Sequence, residues 1–332
     1  MTRARPSALW VRHWRPYPEC DYPVPSKHSF FHHLANQYAL LDLELSGAKK
    51  AAEGLALRVE KDERFETFFA QGIEQVFLDA GAAGELKVLY AQVADALEGR
   101  DRAAAEDLRA RKLPDLRSVD GDPLKRYVVL GAAEGKDDRP LVLILPGGNG
   151  QANDFLPWLT KLTAPLTDEY LFAILSAPTW SEEQKDQVVW VTETWKKEFK
   201  AKFTVEEFAS EVAKELRPKS KGGHYLFAWS SGGPASYATV LRKGKMFRGA
   251  YLLSSVFKKD QLATKYARGK RFVFEQGVED KVTAFHFAEA AEKELNKRGA
   301  KTHLVSFDGG HGFAMPDPKA SLRRALEWLT DK

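Results

Sequence analysis

Apolar residues recur along this chain in two rhythms, and the rhythm changes near Lys112. Before that point the spacing is helical. Phe30, Phe31, Leu34, Tyr38 and Leu41 form a stripe on a helix that Ser26 can cap. Further helices are predicted over 63–79, 84–97 and 102–111, the first with Phe65, Phe68, Phe69, Ile73, Val76 and Phe77 on its apolar face. No repeat period emerges, so 26–115 reads as a small all-helical domain rather than a solenoid. Ahead of it, Pro16, Pro18, Pro23 and Pro25 keep 1–25 extended. Past Lys112, Pro114, Asp120-Gly121 and Pro123 mark a linker. Strand-like runs then alternate with helical ones. Strands are predicted at 127–130, Leu141–Leu145, Leu171–Leu175, 225–228, 250–253, 272–275 and 303–307. A long helical stretch is expected after Leu175, with helices after Gly232, over 284–298 and over 321–330. Such alternation predicts an α/β domain over 116–332, a mostly parallel sheet with helices on both faces.

Reactive groups in such sheets collect at the carboxyl ends of strands. The run Tyr225-Leu226-Phe227-Ala228 meets Trp229-Ser230-Ser231-Gly232-Gly233, a sharp corner ahead of a helix-forming segment. A serine on such a corner needs small neighbours two positions away on each side. Ala228 and Gly232 supply them for Ser230, whereas Trp229 is too large to serve Ser231 in the same way. Alone, this pentad also fits an ordinary glycine-rich turn. Two further strand ends carry what a nucleophilic serine requires. Asp280 follows the strand at 272–275 in a Gly-x-x-Asp turn, and is preferred over Glu279 and Glu275, with a helix-capping role as the bland alternative. His311 follows the strand at 303–307, between Gly310 and Gly312, which leave its loop free to swing the ring toward Ser230. In these roles His311 is the general base and Asp280 fixes its tautomer. The backbone N–H of Ser231 and one from the loop Pro146-Gly147-Gly148-Asn149-Gly150 are candidate oxyanion donors, with Gly148 preferred and Asn149 the neighbouring alternative. That loop is a poor dinucleotide fingerprint, because Asn153 stands where the third glycine belongs.

Composition narrows the classes. The chain has 332 residues, 44% hydrophobic and 29% charged, enough to bury a core and to form two regions. A net charge of +4 without a basic block gives no ground for nucleic-acid binding. Cys20 is the only cysteine, so no intramolecular disulfide and no cysteine-based metal cluster is expected. His28 and His32 share a helical face beside His33, but no third ligand has matching spacing, so no metal is expected there. No run approaches the roughly 18 apolar residues of a membrane span. The basic first segment lacks the apolar core of a secretory signal and reads as a solvated leader. A cytoplasmic protein is the default, and a secreted protein whose signal has been removed is the alternative.

With Leu145-Pro146-Gly147-Gly148-Asn149-Gly150-Gln151 through Phe155-Leu156, Ala228-Trp229-Ser230-Ser231-Gly232-Gly233, Gly277-Val278-Glu279-Asp280 and Gly310-His311-Gly312-Phe313, the chain from about Asp120 onward resembles the α/β-hydrolase superfamily. The order serine, acid, histidine is that superfamily's order, and the corner is its nucleophile elbow with Ala228 in place of the usual glycine. Within it the chain resembles the carboxylesterase, feruloyl-esterase and polyhydroxyalkanoate-depolymerase-like group, although Pro146-Gly147 stands where that group has His-Gly. The resemblance implies cofactor-free hydrolysis of small or polymeric carboxylic esters through an acyl-enzyme. Trp180 and Trp190 in the aromatic stretch 179–203, with Asn149, Trp229 and Phe313, are expected to line the substrate pocket, the alternative being that the tryptophans pack the core. The short stretch between Phe257 and Arg271 leaves no room for a large cap, so an open site is expected. A serine peptidase of the same fold and a non-catalytic scaffold are the competing readings.

Overall fold

The structure, a computed structural model, describes residues 115–131, 139–217 and 223–331, together with positions 87, 90, 91, 94, 95, 102, 106 and 109. The expected leader, the helices before position 84 and the His28, His32 and His33 cluster lie outside the described residues. The chain divides into two compact units, the larger holding Ala110–Lys332 with Gly81–Ala83. In the other unit every described position is helical. There Arg109 donates to Asp95 at 2.8 Å and Arg102 to Glu106 one turn on at 2.9 Å. Both pairs are exposed, and such pairs contribute only a few tenths of a kcal/mol.

The larger unit is built on one sheet of eight strands: β1 (Asp115–Ser118), β2 (Arg126–Leu130), β3 (Leu141–Leu145), β4 (Leu171–Leu175), β5 (His224–Trp229), β6 (Phe247–Leu253), β7 (Arg271–Gly277) and β8 (Lys301–Phe307). Their order across the sheet is β1-β2-β4-β3-β5-β6-β7-β8. Strands β1 and β2 run antiparallel to their neighbours and all other pairs are parallel. The central strands are apolar throughout and buried throughout, as LVLIL in β3 and LFAIL in β4 show, because helices cover both faces. Edge strand β8 is instead half-polar and half-exposed.

Alternation splits the core. Leu143, Leu145, Leu226, Ala228, Leu252, Phe272 and Phe274 share one buried cluster with α3 (Val205–Leu216), α4 (Gly232–Arg242) and α5 (His286–Lys297). On the other face, α1 (Ala152–Thr163) packs on β2 and β4, and α6 (Pro318–Thr330) packs on β6 and β7. Helix starts follow local chemistry. Thr204 and Glu207 form a capping box at α3, and Asp317 caps α6 with Pro318 at its first position. Among the described residues, no helix is long and apolar enough to cross a membrane.

Two expectations give way here. The linker read before Tyr127 contains β1, whose DLRS owes its strand state to pairing with β2 rather than to its own pattern. The long helix expected after Leu175 is a six-residue helix, α2 (Glu182–Gln187), followed by turns as far as Phe203. Its last turn closes when Val188 N–H bonds Gln184 O at 2.7 Å, after which buried Trp190 and Val191 run into the core. Lys200, in the left-handed region at φ 49, bars helix further on.

Candidate active site

After β3 the chain moves to β4 on one side, and after β4 it crosses to β5 on the other. The loops leaving β3 and β5 therefore part company at the carboxyl edge of the sheet, where open α/β sheets hold their ligands. Ser230 stands at that point. It follows β5, precedes α4 and has φ 49, a conformation that costs a non-glycine residue roughly 1–2 kcal/mol. Its N–H donates to the carbonyls of Leu253 and Ser254, each at 3.1 Å, which holds the corner in place. Gly232 is obligatory there, since a Cβ would lie 2.2 Å from the Leu145 carbonyl oxygen.

Three side chains meet. His311 Nε2 lies 3.0 Å from Ser230 Oγ, and His311 Nδ1 lies 2.9 Å from Asp280 Oδ2. The glycine-rich loop after β8 carries the imidazole, with Gly312 at φ 79 and its N–H bonded to Ser254 Oγ at 3.0 Å. Strand β7 runs two residues past the expected end, so Gln276 and Gly277 belong to the sheet. The tight turn that follows depends on Gly277, where a Cβ would sit 2.4 Å from the carbonyl oxygens of Gly309 and Gly310.

Asp280 is a buried carboxylate with its lone pairs taken. Oδ1 accepts the N–H groups of Val282 at 2.8 Å and Thr283 at 2.7 Å. Oδ2 accepts the Thr283 hydroxyl at 2.7 Å and Gln276 Nε2 at 2.8 Å, beside the imidazole. Burial pushes this carboxyl up. The Thr283 N–H and hydroxyl, then His311 and the Val282 N–H, outweigh it and hold the group below the ordinary carboxylate range. With Asp280 ionised, the ring proton belongs on Nδ1, and the Nε2 lone pair is left facing the serine hydroxyl. Glu275, the rejected alternative, points elsewhere: its carboxylate accepts the hydroxyls of Tyr251 and Ser321.

The loop after β3 lies against the corner. Gly148 and Gly150 take φ 58 and 75, and Gly150 N–H closes a turn on Gly147 O at 3.0 Å. Trp190 Nε1 donates to Pro146 O at 3.0 Å, and Ser231 Oγ donates to Gly148 O at 2.9 Å. Neither Gly148 N–H nor Ser231 N–H has a hydrogen-bond partner among the described residues. The Asn149 side chain turns back into its own loop, donating to Asp154 and accepting from Gln151 N–H at 3.0 Å.

An open cleft of about 480 Å³ lies over Ser230 and His311. Gly148 and Gly312 border it, and its walls are Phe155, Trp158, Trp229 and Phe313. These rings pack on one another: Trp158–Phe313 at 4.1 Å, Phe155–Trp229 at 5.0 Å and Trp229–Phe313 at 5.3 Å between centroids. Among the described lining residues, none but His311 is titratable. Trp229 and Phe313 thus line the cleft as expected, whereas Trp180, Trp190 and Asn149 do not. Trp180 packs edge-on against Phe203 at 4.8 Å, and Trp190 is spent in the core bracing Pro146. Phe155 and Trp158 were missed as lining residues. Their spacing of three on one helix was the available signal. Among the described residues, no group of three or more His, Cys, Asp or Glu side chains is placed to hold a metal.

No family model matches the sequence, and no curated protein matches it. Solved structures do show similarity. A Mesorhizobium loti carboxylesterase shares 19% identity, with 66% of this chain and 100% of that chain covered and a TM-score of 0.48. For a Bacillus cereus carboxylesterase the figures are 19%, 62%, 93% and 0.46. Porphyromonas gingivalis dipeptidyl peptidase 4 gives 12%, 69%, 37% and 0.49, so the chain spans little more than a third of that protein. The architecture itself is the expected one, a mostly parallel sheet with helices on both faces, with β1 as a strand beyond those expected.

Proposed function

We propose that this protein is a serine hydrolase that cleaves carboxylic esters, with its catalytic domain running from 116 to 332. The observation that carries the reading is the unbroken chain of contacts from Ser230 Oγ through His311 to Asp280, at 3.0 and 2.9 Å. His311 Nε2 takes the hydroxyl proton as Ser230 attacks the ester carbonyl, and returns it to the leaving alcohol. Asp280 holds the ring and stabilises the imidazolium. The tetrahedral oxyanion is received by the Gly148 and Ser231 N–H groups, each such donor being worth roughly 10²–10³ in turnover. An acyl-enzyme on Ser230 then forms and is released by water along the same route.

An aromatic lining without formal charge favours a neutral, apolar acyl or alcohol group, with feruloyl-type and polyester substrates as the kinds to try. Among the described lining residues no carboxylate is placed to pair with an ammonium, which disfavours a peptidase that must grip a charged terminus. The test is labelling by a fluorophosphonate probe, expected in the wild type and abolished in Ser230→Ala. Hydrolysis of p-nitrophenyl, feruloyl and polyester substrates should accompany it. Unlabelled wild-type protein, or hydrolysis of amides in preference to esters, would overturn the reading.

A further inference from the structure

Beside the nucleophile stands a second serine in a conformation that favours glycine. Ser254, immediately after β6, has φ 45 and is fully buried. A glycine would adopt that conformation without strain, so the chain bears a cost for a hydroxyl at this point. The hydroxyl oxygen accepts the N–H of Gly312, the residue after His311, at 3.0 Å. The carbonyl of the same residue accepts the N–H of Ser230 at 3.1 Å. Its own N–H donates to the Glu275 carbonyl at 2.9 Å, which anchors it to β7, the strand that leads into the Asp280 turn. One residue thus grips the backbone at the nucleophile, at the imidazole loop and on the acid's strand. The loop needs such a grip, because Gly310 and Gly312 flank the imidazole and impose little conformation of their own.

We infer that Ser254 is a positioning residue for His311. Its hydroxyl fixes the glycine loop so that the imidazole stays within hydrogen-bond reach of Ser230, an assignment that rests on the hydrolase reading above. It touches neither the reacting atoms nor the cleft.

The test compares Ser254→Ala and Ser254→Gly in the full chain. Both remove the hydroxyl, but only glycine also removes the left-handed strain, so thermal stability and positioning part company between them. The Ala variant should melt lower than the Gly variant. Both should lose kcat on a p-nitrophenyl ester by about tenfold, short of the roughly 10²-fold that a 1 Å misplacement costs, with KM little changed. Fluorophosphonate labelling of Ser230 should slow in parallel. Hydrogen exchange in the peptide spanning 308–316 should quicken several-fold in both, as a lost backbone hydrogen bond requires. Wild-type kcat and labelling in Ser254→Gly, or a loss of kcat that follows melting temperature across the two variants, would overturn the inference. Failure of the wild type to label at Ser230 would instead sink the hydrolase reading. Exchange at 308–316 then decides alone: protection unchanged in both variants refutes the grip of Ser254, and faster exchange upholds it.

Discussion

Asp280→Asn is the sharpest perturbation of this site, because the geometry dictates how the new amide must turn. Oδ1 faces the backbone N–H groups of Val282 and Thr283 at 2.8 and 2.7 Å, and neither can rotate away. The amide oxygen must therefore occupy that side, and the NH₂ takes the place of Oδ2. There it meets the Thr283 hydroxyl, which can rotate, and Gln276 Nε2, which loses this acceptor and keeps the Thr283 carbonyl. It also meets His311 Nδ1, formerly 2.9 Å from a carboxylate oxygen. A ring that accepts at Nδ1 carries its proton on Nε2, the atom that must receive the proton of Ser230. A wrong tautomer costs about 10⁴ in kcat in comparable triads, or roughly 5 kcal/mol of transition-state stabilisation. The fold suffers less: one buried donor set against another costs about 1–3 kcal/mol, or about 2–12 °C in melting temperature for a domain of this size. Steady-state release of p-nitrophenol measures the first quantity and calorimetry the second. A variant that keeps kcat within about tenfold of the wild type would refute the assignment of Asp280 as orienter of the imidazole.

Three further outcomes are expected. Trp158→Ala removes the ring packed on Phe313 at 4.1 Å, so kcat/KM for an aromatic ester such as p-nitrophenyl benzoate should fall about tenfold, with p-nitrophenyl acetate nearly unaffected. Ser231→Ala keeps the backbone donor but frees the Gly148 carbonyl from its 2.9 Å bond, so kcat should fall about fivefold with KM unchanged, as one hydrogen bond's net worth implies. Glu294, bonded to Lys259 and Arg298, has its carboxyl pushed down to about 2. Because this lies below the value in the unfolded chain, its stabilisation is present above the ordinary carboxylate range and disappears as pH falls toward 2. Glu294→Gln should accordingly lower the melting temperature at neutral pH and converge on the wild type at acid pH, which a melting series across pH checks.

Strands β3 and β4 were legible to the residue because a parallel strand buried on both faces leaves an uninterrupted apolar run. The sequence positions of Ser230, Asp280 and His311 could be found for a related reason: parallel strands bring all their carboxyl ends to one rim. What local pattern does not carry was lost. Asp115–Ser118 holds one apolar residue and becomes a strand only through β2. A long helical stretch is expected after Leu175, but Trp190 is fixed by a tertiary bond to Pro146. Phe155 and Trp158 sit at a visible helical interval, yet spacing names a face without saying whether core or cleft lies against it. Nothing in the letter Ser at 254 announces φ 45, since the neighbouring β6–β7 ladder imposes it.

Trp229 sits in two places at once. One side of its indole walls the cleft, and its ring fills the space where a Gly147 Cβ would come within 2.6 Å. Anyone wishing to retune the substrate range by directed evolution should leave it alone, because a smaller residue there slackens the segment that carries Gly148, the proposed oxyanion donor. Phe155 and Trp158 hang from a separate helix and reach the corner only through ring packing on Trp229 and Phe313, so redrawing the wall there loosens side chains rather than the backbone beneath.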